Sequence, residues 1–374
     1  MGTHQKAPAS VLSTNEQLSN YLEAHPHLVG DRVTKHFGLP AGQLPFLFKV
    51  LSFQKALPMQ IHPDKETARR LHAEQSDVYS DPNHKPEMAL AISSFKVLCG
   101  FRPVADIARY LTCAPELYSL IPGVIVDEFL SVASSSPSTR ERAALRNLFS
   151  AFLTADVREV ETQLEHLVRR YKAGEEMKEE RDVKDELNEM YPGDSGVFSV
   201  YFLNYLQLEP GQAIYVAAGE PHAYIAGDII ECMANSDNVL EAGFTPKIKD
   251  ISNFVSAVRY DPAPGQTRMF KPNPFTRSGP HSNGTLVFDP PIDELAVMQV
   301  VIKQGQSEQH PGLGGPSIVI VLDGQGLIQW TSEDSRGNMV LERGHTVFIG
   351  QGVEVEFLAD GADLRLYRAY VEVD

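Results

Sequence analysis

Residues 197–225 read VFSVYFLNYLQLEPGQAIYVAAGEPHAYI. Runs of strand-forming residues alternate with two turn signals, EPGQ at 209–212 and AGEP at 218–221, so the stretch predicts short β-strands joined by tight turns. Upstream, FLFKVLSFQKALPMQIH (46–62) is equally dense in strand formers and is broken at Lys55 and Pro58. Downstream, LAVMQVVIK, SIVIVLDGQGLIQW, HTVFIGQGVEVEFL and LRLYRAYVEV are further short strands at regular spacing, which predicts a small sandwich or barrel. Residues 261–285, rich in Pro, Gly and Ser, read as a linker ahead of that second β unit.

Between the strands the period lengthens. After an HPDK turn (62–65), ETARRLHAEQ predicts an amphipathic helix, and Pro86 is placed to open another through EMALAISSF (87–95). From about 103 to 191 the pattern is helical. Val104, Ile107 and Leu111 form one stripe. Leu145, Leu148, Phe149, Phe152 and Leu153 form a stronger one behind a Ser138/Thr139 cap region. Val157, Val160, Leu164, Leu167, Val168 and Tyr171 make a third, and the charged run KAGEEMKEERDVKDELNEM (172–190) reads as a solvated loop and helix face.

The chain has 374 residues, enough for two or three packed units, with 43% hydrophobic and 22% charged residues. A net charge of −16 argues against a general nucleic-acid binder, because phosphate contacts need clustered Lys and Arg. No apolar run approaches the length of a membrane span, and the opening MGTHQKAPASVLSTNEQ has no apolar signal-peptide core. Lys6 stands where a myristoylation motif wants Ser or Thr. Cys99, Cys113 and Cys232 are widely separated and read as buried thiols of a reducing compartment; the expected location is the cytoplasm.

On a strand, Gln60 and His62 point to one face and could share a metal. Glu87, near the start of the expected helix, adds a carboxylate, and His222, at a turn between strands, adds an imidazole. Two nitrogens and two oxygens suit zinc, with water or substrate completing the shell. Spacing alone does not assemble four residues from such distant places.

The blocks LSFQKALPMQIHPDKETARRLH (51–72), DVYSDPNHKPEMALAISSFKVLCGFRP (77–103) and GEPHAYIAGDIIECMANSDNVLEAGFTPKIKD (219–250) do so, because in that order the chain resembles the type I mannose-6-phosphate isomerases. The resemblance runs over nearly the whole chain. It implies a mainly β protein of two cupin jelly rolls plus an inserted helical domain. Residues 1–100 would be the first cupin's first part, 101–195 the helical insertion, 196–260 the first cupin's second part, and 261–374 the linker and a second cupin without metal. The motifs QxHPDK, HKPEMA and PHAY imply Gln60, His62, Glu87 and His222 as zinc ligands. They also imply Glu231 and Lys247 as catalytic residues and Lys85 as a substrate contact. His345 of the second cupin, with no partner motif, is expected to be structural.

The implied reaction is zinc-dependent interconversion of mannose 6-phosphate and fructose 6-phosphate, supplying GDP-mannose and glycosylation. The expected partner is a sugar phosphate, with no nucleic acid, no membrane and a monomeric state. Such a reaction needs a base that reaches the proton at C2, a Lewis acid for the developing charge, and a cation for the phosphate. Two departures stand out. Glu241 occupies the position of an arginine that is a proposed catalytic residue of the family, and a unit charge 6 Å away is worth about 3 kcal/mol at an effective dielectric near 20. Met1-Gly2-Thr3-His4 resembles the close of the family's N-terminal segment, so its first strands are expected to be missing and a sheet edge left open. These departures raise two other readings: a paralogue with an altered sugar substrate, and a non-catalytic zinc-binding cupin.

Overall fold

The stretch quoted first ends in a strand of 13 residues, His222–Ala234, around which the first β unit is organised. In the computed structural model, which describes residues 1–134, 139–173, 181–279, 284–332 and 335–373, that unit is built in two passes. The first supplies β1 (Phe46–Phe53), β2 (Met59–Ile61), β3 (Glu87–Ala91) and β4 (Phe95–Phe101). The second supplies β5 (Leu203–Leu208), β6 (Ala213–Val216), β7 (His222–Ala234) and β8 (Leu240–Gly243). All pairings are antiparallel. The second half of β7 lies between β1 and β3, and its first half pairs with β4 and, at His222, with β2.

One irregularity decides which β7 side chains face inward. Tyr224 and Ile229 both belong to the inner cluster formed with Ala89, Ala91, Phe95, Val97 and Cys99. Strict alternation forbids that odd step. The ladder to β4 skips Ile225, and Gly227 follows at a φ of +125°, where a Cβ would meet the Ser94 carbonyl oxygen at 2.6 Å. This bulge turns His222, Tyr224, Ile229 and Glu231 to one interior.

The sequence expected a helix from Pro86, and the structure has strand β3 instead. All five of its residues are buried, with ladders to β6 and β7 on its two sides. Tertiary pairing overrides the helical preference of Glu, Met, Ala and Leu, and the small Ala89 and Ala91 fit the crowded interior. Likewise VFSVY, read as strand, is a 3-10 segment within Ser195–Tyr201, buried throughout residues 196–201. The helix after the HPDK turn forms at Lys65–Glu74. The Thr67 amide donates to its N-cap, Asp64, at 2.7 Å, and Ala68 and Leu71 are its buried face.

Helices spanning residues 104–190 stand between the two passes. Ile107, Leu111, Leu145, Leu148, Phe149, Phe152, Leu164 and Leu167 share one core with Met59, Ile61, Leu98, Phe101 and Ile225, so the helices pack on the outer face of the β2–β7–β4 layer. Val157 opens its helix exposed, outside that core. Thr139 precedes helix Arg140–Leu153 without making a side-chain cap, and Ser138 and residues 174–180 of the charged run lie outside the described residues. Cys113 is exposed, unlike the expectation for all three thiols.

The expected linker is partly structured, since Met269–Phe270 pairs with β6. Beyond it, a six-stranded and a four-stranded sheet face each other across a core of Met298, Val300, Val319, Phe357 and Leu366. The two β units meet through Phe46, Phe48, Met88 and Ile230 on one side and Val297, Ile318, Tyr367 and Ala369 on the other. The outer edge of β1 carries backbone bonds between Met1 and Phe48, of 2.6 and 3.0 Å, and Val50 beyond them is exposed. Among the described residues no helix is long and apolar enough to cross a membrane.

Candidate metal centre

His62, directly after β2, and Glu87 and His222, the first residues of β3 and β7, meet at one end of the first barrel, where all three are buried. One donor atom from each lies within 4.8 Å of the others. The His62 Nδ1–H donates to the Asn238 carbonyl at 2.7 Å, and the His222 Nδ1–H donates to the Glu220 carbonyl at 3.0 Å. Those bonds fix both tautomers, so each Nε2 carries a lone pair. Both Nε2 atoms are buried without a hydrogen-bond partner and face Glu87, at 3.2 Å from Oε2 and 3.1 Å from Oε1.

Burial pushes the His62 imidazole down to about 4, with Lys85 adding to the effect, so the ring is neutral at neutral pH. Burial works to raise the Glu87 carboxyl, while the Lys85 ammonium at 3.6 Å favours its charged form. Two imidazole lone pairs against a carboxylate is a repulsive arrangement unless a cation lies among them. Donors about 2.1 Å from a tetrahedral zinc stand about 3.4 Å from one another, close to the spacings seen here, so the residues fit the metal. Gln60 lies directly opposite His222 in the β2–β7 register, on the same face, where its amide oxygen can complete the set.

Around the cluster, Tyr224, Lys49 and Glu220 are groups the sequence had not singled out. The Tyr224 hydroxyl donates to Glu87 Oε1 at 2.6 Å. Its two-residue spacing from His222 on one strand was the available signal. Lys49, opposite Glu231 in the β1–β7 register, donates to Glu231 Oε2 at 2.7 Å. A lysine at an inward position of an otherwise apolar strand was the clue there. Glu220, whose carbonyl orients His222, carries its own ion pair to Arg268 at 3.1 Å. The Asn238 side chain holds the 81–83 loop through the Asp81 and Asn83 carbonyls.

Glu231 is nearly buried, and Lys85 Nζ stands 3.6 Å from Glu87 Oε2 with its side chain 13% exposed. Lys247 is more distant: its ammonium lies at the surface, 2.6 Å from Glu241 Oε1. Glu241 is opposite Gln60 on the other side of β2, so it shares the cluster's face. The pair with Lys247 leaves these two side chains with no net charge between them, so Glu241 is a partnered carboxylate. Asp64 caps a helix, and His345 sits in an exposed turn with Nδ1 within 3.3 Å of the Val340 carbonyl.

Residues 1–104 match the family model for the catalytic domain of type I phosphomannose isomerase, 120–203 that for its helical insertion domain, and 285–333 that for its C-terminal part. A mannose-6-phosphate isomerase of Cryptococcus neoformans var. neoformans is 40% identical, over 100% of this chain and 88% of its own length. One from Bos taurus is 38% identical, over 99% and 87%. Among solved structures, a mutant phosphomannose isomerase from Salmonella typhimurium superposes with a TM-score of 0.83 at 29% identity, covering 100% of this chain and 90% of that one. A zinc-bound mannose 6-phosphate isomerase gives 0.82 at 30% identity with the same coverage.

Proposed function

The chain belongs to the type I phosphomannose isomerase family, and on that premise we propose that it interconverts mannose 6-phosphate and fructose 6-phosphate as a zinc-dependent aldose–ketose isomerase. The observation that carries this reading is the pair of buried, unpartnered Nε2 atoms of His62 and His222 turned on Glu87 inside the first barrel. His62, Glu87, His222 and Gln60 are the proposed zinc ligands. Bound there, zinc supplies Lewis-acid polarisation of a substrate oxygen and stabilises negative charge that develops during the proton shift.

The chain's own residues supply the rest. Glu231, on the interior face of β7, is the group proposed to carry the proton between C2 and C1. Lys49 engages its Oε2, which leaves Oε1 to face the sugar. Lys85, close to Glu87 and largely shielded from water, is placed to donate to a substrate oxygen. Lys247, exposed at the rim, supplies positive charge toward the phosphate. In this reading the substrate is a sugar phosphate, and the chain acts as a cytosolic monomer whose activity feeds GDP-mannose and glycosylation.

Glu241 supports a second reading, an isomerase for a sugar without phosphate, because it offers a carboxylate on the face that carries the cluster. A coupled assay of fructose 6-phosphate formation from mannose 6-phosphate, run beside unphosphorylated mannose, decides between them. Turnover of the phosphate ester alone is expected. Turnover of mannose alone would replace the first reading with the second, and turnover of neither by folded, zinc-loaded protein would overturn both.

A further inference from the structure

Glu241 is nearly buried, yet it is fully engaged by polar donors. Oε1 accepts from Lys247 Nζ at 2.6 Å and Oε2 accepts from the Thr245 hydroxyl, while the Lys247 amide donates back to Thr245 Oγ1 at 3.3 Å. An ammonium and a hydroxyl converging on two carboxylate oxygens are the donor types that a phosphate ester would also take. The loop carrying them is held in a rare conformation. Phe244 is a buried non-glycine residue at a φ of +53°, and its amide donates to Asp194 Oδ1 at 2.9 Å.

The place matters as much as the chemistry. Glu241 sits beside Gln60, and Gln60 beside His222, so two strand spacings, about 10 Å, separate Glu241 from the metal cluster. The other lysines of the site are committed more deeply: Lys49 to the buried Glu231, and Lys85 beside Glu87. Lys247, with 69% of its side chain exposed, is the one of the three open to an incoming anion.

We infer that Glu241 is a specificity-determining residue, an internal anion that occupies Lys247 and Thr245 and that the phosphate of the sugar must displace. This rests on the sugar-phosphate reading above. Displacement leaves the carboxylate facing a phosphate of like charge, so Glu241 weakens binding of the charged ester without touching the reacting carbons. Selection thereby shifts away from phosphate in general and toward sugars that also engage the interior cluster.

The test is Glu241→Gln, with Glu241→Ala as a second variant that removes the same charge. In the wild type and both variants, KM and kcat for mannose 6-phosphate and the binding constant of inorganic phosphate by calorimetry are compared at low and high salt. The expected result is a KM about tenfold lower at low salt, as for removal of one nearby like charge. Phosphate binding should tighten in the same proportion, and the difference should shrink with added salt. Unchanged or weaker phosphate binding in a folded variant would overturn the inference. Should the wild type turn over no hexose phosphate, the function reading fails, and the phosphate calorimetry still decides this one.

Discussion

Asp194 ties the end of the helical insertion to the loop that carries Thr245 and Lys247. Its Oδ1 accepts the Gly196 amide at 2.7 Å and the Phe244 amide at 2.9 Å, and Oδ2 lies 3.3 Å from Lys249 Nζ. Replacing it with Ala removes two charge-assisted bonds from amides that hold a buried 3-10 segment and a left-handed Phe. Each such bond contributes about 1.5–3 kcal/mol, and with 15% of the Asp194 side chain exposed water can replace part of it, so the lower end applies. The Lys249 pair adds little, being partly exposed. Loss of about 1.5 kcal/mol at Phe244 makes the locally open form roughly tenfold more populated. Hydrogen exchange followed by mass spectrometry on peptides covering 195–201 and 240–249 reads this directly. Asp194→Ala should lose about tenfold protection in both and raise KM for the sugar phosphate while leaving zinc content intact. Asp194→Asn, which keeps an oxygen acceptor, should lose less than half of that on a logarithmic scale. Unchanged protection in the Ala variant, or an Asn variant as impaired as Ala, would refute the reasoning.

Two other perturbations have definite outcomes. In the second β unit, Arg368 donates to His310 Nδ1 at 3.1 Å, His310 Nε2 lies 2.9 Å from Thr285 Oγ1, and Thr285 donates to Glu308 at 2.7 Å. Burial, with Arg368 and Arg277 adding, pushes His310 down to about 3, whereas the unfolded chain takes up that proton near 6.5. This contribution to stability is therefore complete above about pH 6.5 and declines by about 1.4 kcal/mol per unit as pH falls toward 3. Urea denaturation of wild type and His310→Gln at pH 6.5 and 4.5 should give the variant the shallower pH dependence; equal slopes would contradict the assignment. Tyr224→Phe removes the 2.6 Å bond to Glu87 and should weaken zinc binding about 10- to 100-fold in chelator competition, with no change expected if the hydroxyl is incidental.

How far the sequence could be read depended on whether local or distant partners decide. The second β unit was legible because its strands are consecutive and regularly spaced, and the helix at 65–74 because Asp64 and its apolar stripe are local. Strand β3 was not, since HKPEMALA has helical preference and only β6 and β7 on its two sides make it a strand. Misplacing Glu87 on a helix left its residue identity untouched, so the ligand set implied by the family resemblance did not depend on the error. Lys49 escaped notice because its role appears only when the bulge at 225–227 turns Glu231 inward, and Tyr224 because its partner, Glu87, lies on another strand. The Glu241–Lys247 pair was likewise hidden: the sequence exposes a reversed charge, while the fold of the five residues between them decides that the charge is met.

The most direct measurement is zinc content by plasma emission together with mannose 6-phosphate turnover, made on the same samples of wild type and Glu87→Gln, with circular dichroism confirming the fold of each. We expect one equivalent of zinc and robust turnover in the wild type, with both lost together in the variant and both removed from the wild type by chelator and restored by zinc. Full turnover in protein stripped of zinc, or a zinc-loaded and folded wild type that converts no mannose 6-phosphate, would contradict a zinc-dependent isomerase centred on His62, Glu87 and His222.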